Sequence, residues 1–329
     1  MQPAVTVIIP AHNRAGMIGQ ALECLLRQTL PPAQVIVVDD GSTDDTAAVA
    51  RGFGARVSVI QQANAGPGAA RNRALAEATG EFVQFFDSDD LCTPDKLERQ
   101  ARALVESGAD LAYGGWAHCW IEDHGLRVDP MGVQQGGVQR DPLSAMLAGW
   151  LTFMPASLVR RSWIGQVGGY PSARHTGEDI ELLYRLVLAG VRLVHVPGPL
   201  LLVRQHIEGQ ISSASHLALM RAQDQVHLCG QIDSLLARHG ARLSAGQRLA
   251  WRTWQWRAQS ELARLDPATS APVDQLAGLN HRLGQYRAGL RARLTGSRFA
   301  ADFAPAPLTA QQREGIAGVA RDLGLKLAV

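Results

Sequence analysis

No stretch of this 329-residue chain approaches the ~18 uninterrupted apolar residues that a helical membrane span requires, so no such span is expected. The opening residues, Met1 to Pro10, lack the basic start and the long apolar run of a secretory signal and read straight into a strand. Only four cysteines are present (Cys24, Cys92, Cys119 and Cys229), with no Cys-x-x-Cys pair and no metal-ligand cluster among them. This usage suits a reducing cytoplasm, and Cys24, inside a helical apolar pattern, reads as a buried thiol. A cytoplasmic location is therefore expected, with peripheral attachment at the inner face of the membrane as an option. There is no internal repeat and little net charge: +2 overall, which makes no demand for a nucleic-acid partner, and none is expected. With 46% hydrophobic and 19% charged residues the composition is that of a folded chain able to bury a sizeable core in one large domain or two ordinary ones.

What the chain has instead is alternation. Val5–Pro10, Val35–Val38, Val57–Ile60, Phe82–Phe86 and Leu111–Tyr113 are short apolar runs of strand character. Between them lie helical patterns: Ile18, Leu22, Leu25 and Leu26, then Asp44–Ala50 with Ser42 or Thr43 as cap, Pro67–Ala78 and Pro94–Val105. Strands and helices at this spacing make βαβ units, and the fold class is α/β with a mainly parallel central sheet. Residues 114–142 are Gly-rich and read as hairpins or a loop, and the alternation resumes from Leu151 to Val196. Ligands of such sheets gather at the carboxyl ends of the strands. Three polar clusters stand there: Ala11-His12-Asn13-Arg14, Asp39-Asp40, and Asp87-Ser88-Asp89-Asp90.

Each cluster has a plain and a chemical reading. Asp39-Asp40-Gly41-Ser42-Thr43-Asp44 is a turn with a helix cap, or a carboxylate that accepts a hydrogen bond from a nucleobase N–H. Asn64-Ala65-Gly66-Pro67-Gly68-Ala69-Ala70-Arg71-Asn72 simply turns the chain, or offers backbone N–H groups and the Arg71 guanidinium to a diphosphate. Asp87-Ser88-Asp89-Asp90 is a solvated acidic loop, or a set of mutually repelling carboxylates neutralised by a hard cation. Gly177-Glu178-Asp179 is a helix start favoured by the dipole, or the place of a general base.

Taken together and in order, these segments resemble the large glycosyltransferase family 2 with the GT-A fold, over Val5 to about Ser213. Pro10-Ala11-His12-Asn13, Val37-Val38-Asp39-Asp40-Gly41-Ser42-Thr43-Asp44, Asn64 to Asn72 and Phe85-Phe86-Asp87-Ser88-Asp89-Asp90 correspond to its nucleotide and Asp-x-Asp segments. Leu158-Val159-Arg160-Arg161, Val167-Gly168-Gly169-Tyr170, Glu178-Asp179 and Val203-Arg204-Gln205-His206, followed by Ser212, continue in family order. The resemblance implies an inverting glycosyltransferase that uses a nucleotide-diphospho-sugar, a UDP-sugar by family habit, with Mn²⁺ or Mg²⁺ as cofactor. It implies that Pro10, Ala11, Asn13 and Arg14 line the nucleoside pocket, that Asp40 meets the base edge, and that Gly66, Arg71, Asp87 and Ser88 serve the nucleotide. Asp89 is then the main metal ligand with Asp87 and His206 beside it, Asp179 the catalytic base and Glu178 its neighbour. Tyr170-Pro171 stands where the family often has Phe-Asp, and Val203 replaces a common aromatic residue; neither is expected to touch the chemistry.

The resemblance stops near residue 214, and the chain divides on this reading into a GT-A catalytic domain, 1–214, and a helical region, 215–329. The latter carries 15 Lys/Arg against 8 Asp/Glu, while the remainder is net acidic. Trp251, Trp254 and Trp256 interleave with Arg248, Arg252 and Arg257, and Arg282, Arg287, Arg291, Arg293 and Arg298 follow. A tryptophan-bearing helical core, a surface for membrane or anionic acceptor, and a homodimer contact are all open here. The acceptor is a glycan, a lipid-linked glycan, a peptide or a small molecule. A sugar-nucleotide-binding scaffold without turnover and a nucleotidyltransferase stand as alternatives.

Overall fold

The computed structural model describes residues 2–123, 125–129, 141–147, 149, 152–171, 176–206, 217–266 and 310–328. Its centre is a mixed sheet. Strands β1 (Val5–Ala11), β2 (Gln34–Asp40), β3 (Ser58–Gln62) and β4 (Phe82–Phe85) run parallel in the order β3-β2-β1-β4. Beyond β4 come β8 (Ser157–Arg160) and then β6 (Leu111–Glu122), each antiparallel to its neighbour. Strand β6 also pairs with β7 (Gly125–Val128) and, in parallel, with β9 (Leu193–Arg204), which in turn holds the two-residue β5 (Leu91–Cys92).

Strand β1 is buried along its whole length, and its alternate residues face two different apolar layers. Val5, Val7, Ile9 and Ala11 join the layer containing helix α1 (Ala15–Leu26) and helix α4 (Lys96–Ser107). Ile8 faces the opposite layer, with helix α3 (Pro67–Leu75) and helix α7 (Glu178–Leu188). A period of two on a strand covered on both faces explains why the run reads as continuously hydrophobic. The short helices α2 (Thr46–Arg51), α5 (Pro142–Leu147) and α6 (Arg161–Gln166) complete the α/β part. Cys24 is buried as expected, with its sulfur 3.7 Å from that of Cys92.

Two expectations about local structure are corrected. Helix α2 is not capped by Ser42 or Thr43: its N-cap is Asp45, Asp44 Oδ1 accepts the Thr46 N–H at 3.0 Å, and the Ser42 hydroxyl accepts the Asn13 N–H at 2.9 Å. The Gly114-Gly115 pair does not end a strand at Tyr113. It produces register shifts against β9, a bulge, and β6 continues to Glu122.

The C-terminal region docks on both sides of this sheet. Helix α8 (Ala218–Arg238) and helix α9 (Ala245–Leu265), the latter opened by a Ser244–Gln247 capping box, cover the layer that contains α7. Helix α10 (Ala310–Asp322) buries Ile316, Val319 and Ala320 in the layer of α1 and α4, and strand β10 (Lys326–Ala328) pairs in parallel with β7. The described residues of this region are thus helical with one added edge strand. No helix among the described residues is long and apolar enough to cross a membrane.

Candidate active site

The loops after β1, β2 and β3 are knitted into one rim. Asn13 takes a positive φ of 53°, its N–H donates to Ser42 Oγ at 2.9 Å, and its Oδ1 accepts the Thr43 N–H at 2.8 Å. Asp44 Oδ2 accepts the Ala15 N–H at 3.0 Å and so holds the start of α1. Pro10 and Ala11 are buried at the end of β1, where the rim begins. His12, Asn13 and Asn64 are among its exposed polar residues.

Asp40 does something the sequence reading missed. Its Oδ1 accepts the Ala65 N–H at 2.9 Å and the Gln62 amide at 2.8 Å, and its Oδ2 accepts the Gly66 N–H at 2.8 Å. The Gly-rich loop does present backbone donors to an anion, but the anion is this internal carboxylate. Asp40 is only 4% exposed, and it and Gly66, expected at the base edge and the nucleotide, are tied to each other in this structure. Gly41 is needed for it: a Cβ there would lie 2.8 Å from Asn64 N at a φ of +75°.

The acidic row after β4 splits into three environments. Asp89 Oδ2 lies 3.2 Å from Arg14 Nε and 3.0 Å from His206 Nε2. Burial raises its pKa, but the His206 hydrogen bond and the Arg14 charge outweigh that and hold it below the ordinary value. Arg14 is aimed by its own loop, since its Nη1 donates to the carbonyls of His12 (3.3 Å) and Asn13 (3.0 Å). Asp87 Oδ1 instead accepts from Arg71 at 2.9 Å. Asp90 is buried, accepts the Arg204 N–H at 3.1 Å, and is pushed well above the carboxylate range by burial and by Asp89 and Asp87. It ties the acidic loop to the strand end that carries His206. Ser88 is buried between these groups.

The fourth segment converges on the same place. Arg71, 4% exposed, spans Glu178 Oε1 and Asp87 Oδ1, each at 2.9 Å. Expected at a diphosphate, its guanidinium is committed to two carboxylates, and it lies 4.9 Å from the centroid of the Tyr170 ring. Asp179, in the first turn of α7, has a buried Oδ1 with no hydrogen-bond partner. Burial pushes its pKa up to about 7, with Arg71 opposing and Glu178 and Asp87 adding to the rise. The Tyr170 hydroxyl is likewise buried, and it and the Asp179 carboxylate act on each other, the hydroxyl favouring the aspartate anion. Tyr170 was expected to stay clear of the chemistry; the structure puts it between Arg71 and the base. Its backbone is clamped by Asn72, which accepts the Tyr170 N–H at 2.8 Å and donates to its carbonyl at 2.9 Å. The tyrosine's place directly after the Gly168-Gly169 pair was the available signal.

The chain is similar to known proteins. Residues 6–145 match the family described as "Glycosyl transferase family 2". The succinoglycan biosynthesis protein ExoU of Rhizobium meliloti is 32% identical over 269 residues, which are 75% of this chain and 73% of that protein. The chain belongs to glycosyl transferase family 2. Its GT-A fold is seen also in S. aureus TarS 1-349 in complex with UDP-GlcNAc (TM-score 0.55, 20% identity, 79% of this chain and 81% of that one). The mannosyltransferase PcManGT from Pyrobaculum calidifontis, in complex with GDP-Man and Mn²⁺, is similar as well (TM-score 0.52, 21% identity, 92% and 86% covered). Two other curated relatives are matched over only 18% and 52% of their own length.

In this family 2 chain the residues fit a divalent cation as part of its holder, not as a complete cage. Asp89 and His206 offer an ionised oxygen and an imidazole nitrogen side by side. Among the described residues no group of three His, Cys, Asp or Glu side chains could hold an ion by itself. Mg²⁺ and Mn²⁺ bound with diphosphates need only one or two protein ligands, the rest being phosphate and water oxygens. Asp87, expected as a further ligand, is turned to Arg71. Ser212, Arg282, Arg287, Arg291, Arg293, Arg298 and the boundary at residue 214 lie outside the described residues.

Proposed function

We propose that this chain transfers a sugar from a nucleotide-diphospho-sugar, a UDP-sugar first among candidates, to an acceptor hydroxyl in a single displacement that inverts the anomeric carbon. The observation that carries the reading is Asp179: a carboxylate raised to about 7 whose Oδ1 is buried and unpartnered, and which interacts with Asp87, itself a neighbour of Asp89. A base tuned near the working pH accepts a proton efficiently from an attacking hydroxyl.

The roles follow from the contacts. Asp179 Oδ1 takes the acceptor proton and orients the oxygen for attack. Arg71 keeps Glu178 and Asp87 in place and limits how far they raise Asp179. Arg14, next to Asp89, supplies positive charge where negative charge grows on the leaving diphosphate. His12, Asn13 and Asn64 form the polar rim for the nucleoside, and Asp40 keeps that rim rigid through the Ala65 and Gly66 N–H groups. An Mn²⁺ or Mg²⁺ ion held by Asp89 and His206 would supply Lewis-acid stabilisation of the diphosphate. A polysaccharide acceptor is the first to try, because the ExoU relative is named for succinoglycan biosynthesis. Residues 1–214 form the catalytic part on this reading, and the region from 215 supports it.

The test is donor turnover across UDP-, dTDP- and GDP-sugars with and without Mn²⁺, followed by NMR of the anomeric product. Metal-dependent release of one nucleoside diphosphate with inverted configuration is expected. Retained configuration, or pyrophosphate as the released group, would overturn the reading.

A further inference from the structure

The segment matched by the family model ends at residue 145, yet the base stands at 179, and the residues just before it are held from the C-terminal region as well. Thr176 and Gly177 lead into α7. Both the N–H and the hydroxyl of Thr176 donate to one oxygen, Asp224 Oδ2 on helix α8, at 3.1 and 2.8 Å. Gly177 follows with a φ of +81°, and a Cβ on it would sit 3.1 Å from Leu228 Cδ2. Asp224 and Leu228 are four residues apart on α8 and so share one helix face. That face otherwise buries Leu228, Ile232 and Leu235. An acidic residue stands at the end of this apolar stripe, where it grips the residue three before the base.

We infer that Asp224 of the C-terminal region is a positioning residue for catalysis: through Thr176 and the Gly177 joint it sets where α7 begins and hence where the Asp179 carboxylate points. The inference rests on the assignment of Asp179 as base. A glycine at positive φ is a soft joint unless its neighbours are fixed, and on this side the described fixings are the two Thr176 bonds and the contact with Leu228. Two bonds to one oxygen tie the segment before the base to a helix that lies outside the residues the family model matches. The C-terminal region therefore completes the catalytic site rather than merely covering it.

The experiment uses the full chain with Mn²⁺ and whichever of UDP-glucose, UDP-N-acetylglucosamine and GDP-mannose the wild type hydrolyses. Asp224→Ala, Asp224→Asn, Thr176→Val and Asp179→Asn are compared for turnover and for nucleoside diphosphate affinity by calorimetry. Misplacing a reacting group by a fraction of an ångström to 1 Å costs on the order of 10- to 100-fold in rate, so Asp224→Ala is expected to lower kcat by about that factor. Diphosphate affinity should stay within about two-fold, because no donor contact is lost. Asp224→Asn keeps an acceptor oxygen and should restore most of the rate; Thr176→Val, which removes one of the two bonds, serves in place of the alanine variant if that one does not fold. Thr176→Val should lower kcat less than Asp224→Ala and add nothing to it in the double variant. Wild-type turnover in Asp224→Ala, with Asp179→Asn inactive, overturns the positioning role and leaves the base in place. Full activity in Asp179→Asn overturns both.

Discussion

At the scale of single residues, the site is a contest over one proton. Asp179 is raised to about 7 by burial and by Glu178 and Asp87, while Arg71 and the Tyr170 hydroxyl pull it back. The catalytic form is the anion, so kcat/KM should rise with pH through about 7 and level off above it. Tyr170→Phe removes one of the groups that favours the anion, and the acidic limb should then move to higher pH. A pH–rate profile of the two proteins at saturating Mn²⁺ checks this, and an unmoved limb in Tyr170→Phe would show that the hydroxyl does not act on the base. The identities of these acids were readable from sequence order, but their division of labour was not. Which carboxylate meets a cation, which meets Arg71 and which stays protonated depends on a few ångströms of packing from β9 and α3, elements far apart in the chain.

At the scale of elements, the clamp between Asn72 on α3 and the Tyr170 backbone joins the two halves of the α/β layer. Gly169 makes the approach possible: a Cβ would lie 2.6 Å from Asn72 Oδ1 at a φ of +72°. Its neighbour Gly168 has a φ of +80° but would meet only Arg185 at 3.9 Å. Both alanine variants should lose about 1–2 kcal/mol from the left-handed backbone alone. Gly169→Ala should lose more and also slow turnover, because it displaces Asn72 and with it Tyr170. Urea unfolding of the pair measures the difference, and equal losses would mean that the close approach is unimportant. The early strands were legible because an apolar run buried on both faces has a simple signature. Strand β6 was not, since Gly114-Gly115 reads as a break in one dimension and acts as a bulge once β9 pairs beside it.

At the scale of the whole molecule, the C-terminal region ties down both faces of the sheet. Trp251 is 4% exposed, donates to Asp233 Oδ1 at 2.7 Å, and packs with Trp254 against Tyr184 of α7. Of the readings open for the Trp–Arg segment, the structure supports a tryptophan-bearing core at these two positions. A chain ended at residue 214 would expose the apolar side of α7 that Leu228, Ile232, Leu235 and Trp251 now cover. It should lose cooperative thermal unfolding, and a sharp wild-type-like melt from that truncation would show that the α/β part stands alone. Periodicity announced helices here, but it could not say that they close on the base helix, because amphipathic faces carry no address.

The central claim is that Asp179 is the general base, and the most direct measurement is turnover and diphosphate binding in Asp179→Asn. The side chain keeps its size and loses its proton affinity. The expected result is a rate lower by at least about 100-fold, the lower end of what a positioned general base contributes, with nucleoside diphosphate affinity within about two-fold of wild type. Turnover close to wild type in that protein would contradict the account.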